Sequence, residues 1–308
     1  MEDLQRLHES VVLDSEIDAL GHMNVRHYGE RALAATARLL GTIDLAGLGV
    51  AGVTPGVYDL PRLYTRYQRE QLAGSPLEVY GGIVDVTERG LRFYHELRNP
   101  VREEIAATFM HDVRFPDAEL EEPPVIDRAI VEALEARRIA IPDHGRPRSI
   151  DLDASTKAPS LEDAIEHEMA VRKPRVIEAE LCDESGRVSA EHRPFIMWGG
   201  EPLDGGDPGP PVYDLEGGGR MGWASLEMRS VRLAPLREGA RIQSFGAPVE
   251  LNKKTSLRRF WVFDLDSGQP LLANDVVDIA LHLDERRAIE IPEKMRAQLE
   301  RTLRTDLR

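Results

Sequence analysis

Residues 18–28 read Asp-Ala-Leu-Gly-His-Met-Asn-Val-Arg-His-Tyr. From residue 25 to residue 40, small and apolar side chains recur at helical spacing, which predicts an Ala-rich helix that is apolar around much of its circumference. Asn24 is the expected N-cap, and Gly41 is the expected left-handed residue after the last turn. A helix of this kind is stable when a sheet wraps around it, so the stretch predicts a tight turn followed by a buried helix.

Strand-like runs follow this helix, and a second set recurs in the C-terminal half. The β-prone runs are separated by hairpin breakers such as residues 88–90 and 264–268. The predicted strands span residues 79–87, 91–98 and 106–115 in the first set, and residues 241–249, 256–264 and 275–283 in the second. A helix followed by consecutive antiparallel strands predicts an α+β fold.

The two halves match when the chain is shifted by 165 residues, the distance from Asp18 to Asp183. The same shift pairs Gly21 with Gly186, and both Asp-x-x-Gly units follow an apolar, β-prone run. The sequence therefore predicts two copies of one domain.

The second copy departs from the first. Arg187, Ser189 and Arg193 occupy the positions of the first copy's histidine, asparagine and tyrosine. Pro194 follows, and residues 199–219 are rich in Gly, Pro and Asp, so the second helix is expected to be short. The second copy is predicted to be degenerate.

Composition argues against several classes of function. The chain has 308 residues and a formal net charge of −15, so nucleic acid is repelled on average and an anionic membrane surface is not attracted. Its single cysteine cannot form an internal disulfide, and no apolar run is long enough to span a bilayer. No signal-peptide pattern is visible at the N-terminus. We expect a cytoplasmic protein that binds neither nucleic acid nor membranes.

The turn before the predicted helix brings a carboxylate close to unpaired backbone N–H groups. Asp18 lies a few residues ahead of the helix start, where free N–H groups and the positive end of the helix dipole can stabilise an oxyanion. A carboxylate in that position can act as a general base or as a nucleophile. Gly21 permits the tight turn and the close approach of a ligand. The alternative is that Asp18 only caps the turn.

Residues 18–28 are similar to the Asp-x-x-Gly-His-(Met/Val)-Asn-x-x-x-Tyr signature of the hotdog acyl-CoA thioesterases, the 4-hydroxybenzoyl-CoA thioesterase group. The segment from Tyr67 to Gly74 resembles the Tyr-x6-Gly element of that group. The resemblance covers residues 7–116 well and residues 172–284 more weakly. It implies an antiparallel sheet wrapped around a central helix and the hydrolysis of an acyl thioester.

The resemblance also implies roles for individual residues. Asp18 is the implied catalytic carboxylate, while His22 and Asn24 orient the water or the acyl group. The residues implied to bind substrate in the same copy are Gly21, Met23, Val25 and Tyr28, with amides around residues 23–25 polarising the thioester carbonyl. No metal and no cofactor is expected, and coenzyme A takes part only as a portion of the substrate.

In the hotdog group the acyl pocket lies between two protomers, and here the second copy can replace the second protomer. The resemblance thus implies an intrachain pseudo-dimer, in which the far wall of the first site comes from the second copy around Ser230 and Thr255. Conversely, Tyr67 is expected to face a possible second site at Asp183 and Gly186. A homodimer of such pseudo-dimers is also expected.

A basic cluster interrupts the acidic second half. Its members are Lys253, Lys254, Arg258 and Arg259. They are expected either to meet coenzyme A phosphates or to form a solvated strand edge that prevents pairing with another sheet.

We predict two tandem hotdog domains. Residues 1–120 form the first, with the intact motif, and residues 121–165 form a helical linker. Residues 166–292 form the degenerate second domain, and residues 293–308 a C-terminal helix. The predicted function is hydrolysis of an acyl-CoA, or of an acyl group on acyl carrier protein, to the free acid. The alternatives are a hotdog hydratase or dehydratase acting on enoyl thioesters, and a non-catalytic protein that binds acyl thioesters.

Overall fold

The structure is a computed structural model that describes residues 4–18, 20–43, 58–115, 125–154, 156–203, 205 and 212–308. Ala19 of the motif, residues 121–124 and 155 of the predicted helical linker and part of the Gly- and Pro-rich stretch lie outside these ranges. The chain divides into two units, Met1–Pro147 (unit 1) and Arg148–Arg308 (unit 2). None of the helices in the described ranges is long and apolar enough to cross a membrane.

In unit 1 an antiparallel sheet packs around one long helix. The strands are β1 (Gln5–Val11), β2 (Asp59–Tyr67), β3 (Pro76–Thr87), β4 (Gly90–Asn99) and β5 (Glu104–Arg114). Their order in the sheet is β1-β3-β4-β5-β2. Helix α1 (Val25–Gly41) packs on β1, β3, β4 and β5. The predicted α+β arrangement of a sheet around a helix is therefore present in this unit.

The start of α1 is as predicted, but its end is not. The Asn24 side chain accepts a hydrogen bond from the backbone N–H of Arg26 at 3.0 Å, so Asn24 is the N-cap. Gly41 was expected beyond the helix in the left-handed region, and this is wrong because Gly41 is the last helical residue. Thr42 ends the helix in a right-handed conformation, and its hydroxyl donates to the carbonyl oxygen of Leu39 at 2.7 Å. Because Thr42 satisfies that carbonyl, a left-handed glycine is not needed.

Three shorter helices lie outside the two sheets. Helix α2 (Arg128–Glu135) lies within the predicted helical linker, helix α3 (Leu161–Glu166) spans the C-terminal end of that linker, and helix α4 (Glu293–Arg301) lies within the segment predicted as a C-terminal helix. Asp127 and Ser160 cap the first two by accepting backbone N–H groups through their side chains.

Unit 2 has an antiparallel sheet of the same order with a much smaller helix. Its strands are β6 (Arg175–Val176), β7 (Tyr213–Asp214), β8 (Arg220–Arg232), β9 (Arg241–Leu251), β10 (Thr255–Asp264), β11 (Pro270–His282) and β12 (Arg287–Ala288). The order is β6-β9-β10-β11-β8, while β7 pairs with β8 and β12 with β11. At the position of α1, unit 2 has a six-residue 3-10 helix, Arg193–Trp198. Pro194 lies in its first turn, in keeping with the predicted shortening.

Corresponding backbone contacts in the two units are separated by a constant 165 residues. Each unit has a β-bulge at the same place, between Ile83 and Asp85 in β3 and between Pro248 and Glu250 in β9. One carbonyl in each unit accepts two consecutive N–H groups, and these are the carbonyls of Ala106 and Leu271. The two sheets therefore share strand register as well as strand order.

The inner face of each sheet is the face that contacts α1 in unit 1 and the 3-10 helix in unit 2. On the inner face of unit 1, the Thr36 hydroxyl lies 2.8 Å from Nε2 of His95 and 2.8 Å from Nδ1 of His111. All three side chains are buried. Burial, aided by the neighbouring His111, lowers the pKa of His95 well below its usual range. His95 is thus a neutral imidazole within the core.

The basic cluster of unit 2 is divided between different environments. Arg259 on β10 is buried on the outer face, where its Nε donates to Asp275 at 2.5 Å, and Arg229 donates to the same carboxylate at 2.8 Å. Lys253 is exposed and pairs with Glu290 at 2.8 Å. These side chains do not form one continuous basic surface.

Candidate active site

The turn that contains Asp18 is held by its own backbone and side chain. The N–H of Asp18 donates to the carbonyl of His22 at 2.9 Å, and the N–H of Gly21 donates to the carbonyl of Asp18 at 3.0 Å. The N–H of Leu20 donates to Oδ1 of Asp18 at 2.8 Å. Gly21 has φ of +83°, a conformation that glycine adopts without strain. One oxygen of the carboxylate is therefore fixed, while the side chain keeps 17% of its surface exposed.

His22 lies between two carboxylates. Its Nδ1 is 3.2 Å from the carbonyl oxygen of Met23 and 3.6 Å from Oδ2 of Asp18. Its Nε2 is 3.7 Å from Oε1 of Glu70, which is half exposed. Each ring nitrogen thus faces oxygen atoms, and the structure brings the predicted pair Asp18 and His22 together. Glu70 was not among the predicted site residues, although it lies within the Tyr-x6-Gly element.

The backbone at the start of α1 is more fully bonded than the sequence indicated. The N–H of Met23 donates to the carbonyl of Gln71 at 2.7 Å, and the N–H of Asn24 donates to the carbonyl of Glu16 at 2.8 Å. Within the described ranges, the N–H of Val25 has no hydrogen-bond partner. Of the amides around residues 23–25 that were predicted to stabilise an oxyanion, the Val25 N–H is therefore the one that has no partner within the described ranges. The Met23 side chain is completely buried.

Tyr28 joins the helix to the segment that follows β2. Its hydroxyl donates to the carbonyl of Arg69 at 3.1 Å and accepts the N–H of Gln71 at 3.1 Å. The side chain is buried, and burial raises its pKa above the usual range. The Tyr67 ring packs edge-on against it, with ring centroids 5.6 Å apart. Tyr28 therefore positions Gln71, the residue that binds the Met23 amide.

Tyr67 lies beside the first motif, within unit 1. Burial raises its pKa, and its ring contacts Tyr28 of α1. Its expected role toward Asp183 remains a prediction.

A second group of ionisable residues lies near the start of α1. His27 Nδ1 is 2.7 Å from Glu30 and 3.8 Å from Glu16, and the three side chains are close enough to hold a metal ion. Arg31 donates to Glu16 at 2.8 Å, and Arg26 donates to Glu30 at 2.7 Å. Burial acts to raise the pKa of Glu16, but the hydrogen bonds from Arg31 and the backbone outweigh it and lower that pKa. Two guanidinium groups thus already balance both carboxylates, which favours an ion-pair network over a cation site.

Asp183 forms the same backbone turn in unit 2, but its carboxylate is more heavily bonded. Oδ1 accepts the Ser185 N–H at 2.8 Å, the Ser185 hydroxyl at 2.6 Å and the Arg187 N–H at 3.2 Å. Partial burial acts to raise its pKa, and these bonds lower it below the usual value. Gly186 again has a positive φ, of +71°. These hydrogen bonds stabilise the Asp183 carboxylate as an anion, whereas Oδ1 of Asp18 accepts the Leu20 N–H alone among the bonds of the described residues.

The two residues expected to form the far wall lie on strands of unit 2. Ser230 is buried on β8, and its hydroxyl has no partner among the described residues. Thr255 is the first residue of β10 and is half-buried. Their predicted role opposite Asp18 remains a prediction.

Part of the chain is similar to a family of known proteins. Residues 12–134 match the family model of the Thioesterase-like superfamily, a stretch that contains the Asp18 turn, α1 and the sheet of unit 1 from β2 to β5. A comparison with curated proteins found no match. The predicted resemblance to thioesterases is confirmed.

Solved structures resemble the chain over most of its length. An acyl-ACP thioesterase from Bacteroides thetaiotaomicron has a TM-score of 0.62 at 12% sequence identity, covering 90% of this chain and 98% of that one. The 12:0-ACP thioesterase from Umbellularia californica has a TM-score of 0.61 at 11% identity, covering 90% of this chain and 94% of that one. At such identities the likeness concerns the fold. The family match over residues 12–134 supports thioester hydrolase activity.

Proposed function

We propose that the protein hydrolyses an acyl thioester to a free acid and a thiol, with Asp18 as general base or nucleophile. The observation that carries the proposal is the half-buried Asp18 carboxylate, with one oxygen fixed by Leu20 and the other 3.6 Å from His22, just ahead of the start of α1. As general base, Asp18 takes a proton from water as the C–O bond forms, and it passes that proton to the leaving sulfur as the C–S bond breaks. We expect this reaction to need no metal and no redox cofactor.

We propose that the Val25 amide is the backbone donor to the oxyanion. It lies at the positive end of the α1 dipole, where negative charge is stabilised. Asn24 fixes this end of the helix through its cap, and Tyr28 fixes Gln71, which in turn holds Met23. Asn24, Met23 and Tyr28 then act as positioning residues for the donor.

We propose that unit 2 is a second copy of the same hotdog domain, so that the chain is an intrachain pseudo-dimer. The constant spacing of 165 residues between corresponding bulges and turns supports this. The more heavily bonded carboxylate of Asp183 supports a single working site in unit 1.

The carrier of the acyl group is coenzyme A or acyl carrier protein. The two structures cited above that match the chain over nine-tenths of its length are named acyl-ACP thioesterases, and this likeness favours including acyl-ACP in any test.

The test is a thiol-release assay on a panel of short, medium, long and aromatic acyl-CoAs and acyl-ACPs. Asp18→Asn should lower kcat by about 10² to 10⁴-fold with the fold retained, as expected for loss of an acid–base group. Asp183→Asn is the matched control and should retain activity. Equal losses in both variants would refute the asymmetry. Absence of thiol release from every substrate, with water addition to a crotonyl thioester, would identify a hydratase instead.

A further inference from the structure

The inner face of unit 2 carries charged and polar side chains where unit 1 is apolar. Arg258 on β10 and Asp278 on β11 occupy the positions of Phe93 and Val113 in unit 1. Two further polar residues on this face likewise replace apolar ones, Ser256 in place of Leu91 and Asn274 in place of Phe109. Since the two sheets share register, the fold itself does not require polar groups here.

The Arg258 guanidinium is held rigidly on this face. Its Nε and Nη2 donate to Oδ2 of Asp278 at 3.1 and 2.5 Å. Its Cζ lies 5.2 Å from the centroid of the Phe260 ring and 5.9 Å from that of Trp223. The Ser225 hydroxyl donates to the other oxygen of Asp278 at 2.8 Å. The carboxylate is therefore fixed on both sides, and the arginine is fixed by it.

One end of this guanidinium remains available. Among the described residues, Nη1 of Arg258 has no hydrogen-bond partner, and 28% of the side chain is exposed, whereas Asp278 is 3% exposed. Nearby on the same strand, the Ser256 hydroxyl is completely buried and also has no partner in the described part of the chain. Asp278, opposite Ser256 in the β10–β11 ladder, links the two positions.

The change in unit 2 accompanies the loss of a covering helix. In unit 1 the 17 residues of α1 cover the inner face, while unit 2 has the six-residue helix Arg193–Trp198. Trp198 at its end packs on Phe260, with ring centroids 6.2 Å apart, and Phe260 in turn adjoins Arg258. Burying an ion pair costs desolvation energy that apolar residues avoid, so stability alone does not account for Arg258 and Asp278.

We propose that Arg258 binds an oxyanion, with Nη1 as the donor. A planar guanidinium held by a carboxylate and aromatic rings is well suited to a carboxylate or a phosphate. The assignment of the ligand as part of an acyl thioester rests on the proposed function. The oxyanion then belongs either to the phosphate of the phosphopantetheine arm or to a carboxylate at the far end of the acyl chain.

The test measures binding without turnover, by calorimetric titration of the full chain. The probes are pantetheine, 4′-phosphopantetheine, coenzyme A, butyryl-pantetheine and glutaryl-pantetheine, the last two with an amide in place of the thioester so that they are not hydrolysed. The variant Arg258→Phe with Asp278→Val installs the unit 1 pair, which this fold accommodates. Arg220→Gln is the matched control, because Arg220 forms an exposed pair with Asp284 on the same unit. Thermal unfolding verifies that each variant is folded.

If the ligand is the phosphate, the wild type should bind 4′-phosphopantetheine more tightly than pantetheine. If the ligand is an acyl carboxylate, the wild type should bind glutaryl-pantetheine more tightly than butyryl-pantetheine. The double variant should weaken the preferred probe by at least about tenfold, the usual effect of a charge-assisted hydrogen bond. Arg258→Gln should do the same, and the Arg220 control should not. Equal affinity for charged and uncharged probes, or unchanged affinity in a folded Arg258 variant, would overturn the proposal. Anion binding that persists without thioester hydrolysis would overturn the proposed function alone.

Discussion

Acid should destabilise unit 1 through His95, and His95→Phe should remove that effect. In the folded protein burial holds the pKa of His95 well below its usual range, whereas in the unfolded chain a histidine titrates near about 6.5. Below that pH the unfolded chain binds a proton that the folded chain does not bind. Stability is therefore complete above the unfolded pKa and falls as the pH falls below it.

The size of the effect follows from the linkage of one proton. Each pH unit between the unfolded and the folded pKa costs about 1.4 kcal/mol, so the interval from pH 6.5 to pH 5.0 costs up to about 2 kcal/mol. Phenylalanine is a conservative replacement here, because unit 2 has Phe260 at the corresponding position. In both units the ring lies against a glycine, Gly81 or Gly246, where a Cβ would overlap with it.

The measurement is hydrogen exchange of peptides from β4 and β5, followed by mass spectrometry at pH 7.5 and pH 5.0 with correction for intrinsic exchange. Wild-type protection should fall by about 2 kcal/mol more than that of the Phe variant between the two values. His167→Gln, which changes an exposed histidine of unit 2, is the control and should behave as wild type. An equal loss in wild type and His95→Phe would refute the argument.

Substitutions at three further positions test local features by chemical denaturation. Asn24→Ala should lower the free energy of unfolding by about 1 kcal/mol, because the Arg26 N–H loses its cap; Asn24→Asp should restore most of it. Tyr28→Phe should cost about 1 to 3 kcal/mol, because the buried Gln71 N–H and Arg69 carbonyl lose their partner, and no loss would contradict the bridging role. Gly29→Ala should stabilise α1 by up to about 1 kcal/mol, since nothing lies within 4 Å of the added Cβ. A destabilised Gly29→Ala would show that the helix start is crowded.

Helix α1 and six of the strands were predictable from sequence, because their apolar side chains recur with the period of a helix or of a strand. Strand β2 was missed because Asp59–Tyr67 contains Pro61 and several charged residues, which in sequence argue against a strand. Its paired position beside β5 depends on contacts distant in the chain. The end of α1 was misplaced because the side chain of Thr42 can replace the role usually given to glycine.

The candidate site was predictable where its residues are adjacent in sequence. Asp18, His22 and the Asn24 cap come from one short stretch, and the structure keeps them together. Glu70 and Gln71 approach that stretch through the return of the chain after β2, and such proximity has no periodic signal. The hydrogen bonds donated by the Met23 and Asn24 N–H groups were not predicted, for the same reason. In unit 2, Arg258 and Arg259 are adjacent on β10 and therefore point to opposite faces of the sheet, so the basic residues that are neighbours in sequence do not form one cluster.

Matched positions in the two sheets are separated by a constant number of residues in sequence. A segment of one half therefore has the same length as the matching segment of the other half. A segment cut between matched positions, such as the hairpin of β3 and β4 and that of β9 and β10, has the same number of residues and the same bulge in either half. Chimeric chains can therefore be built without redesigning any turn, and each junction tests how far one half's side chains tolerate the other's surroundings. Comparing the two halves of the chain can thus distinguish residues that the backbone fold requires from residues that a reaction requires.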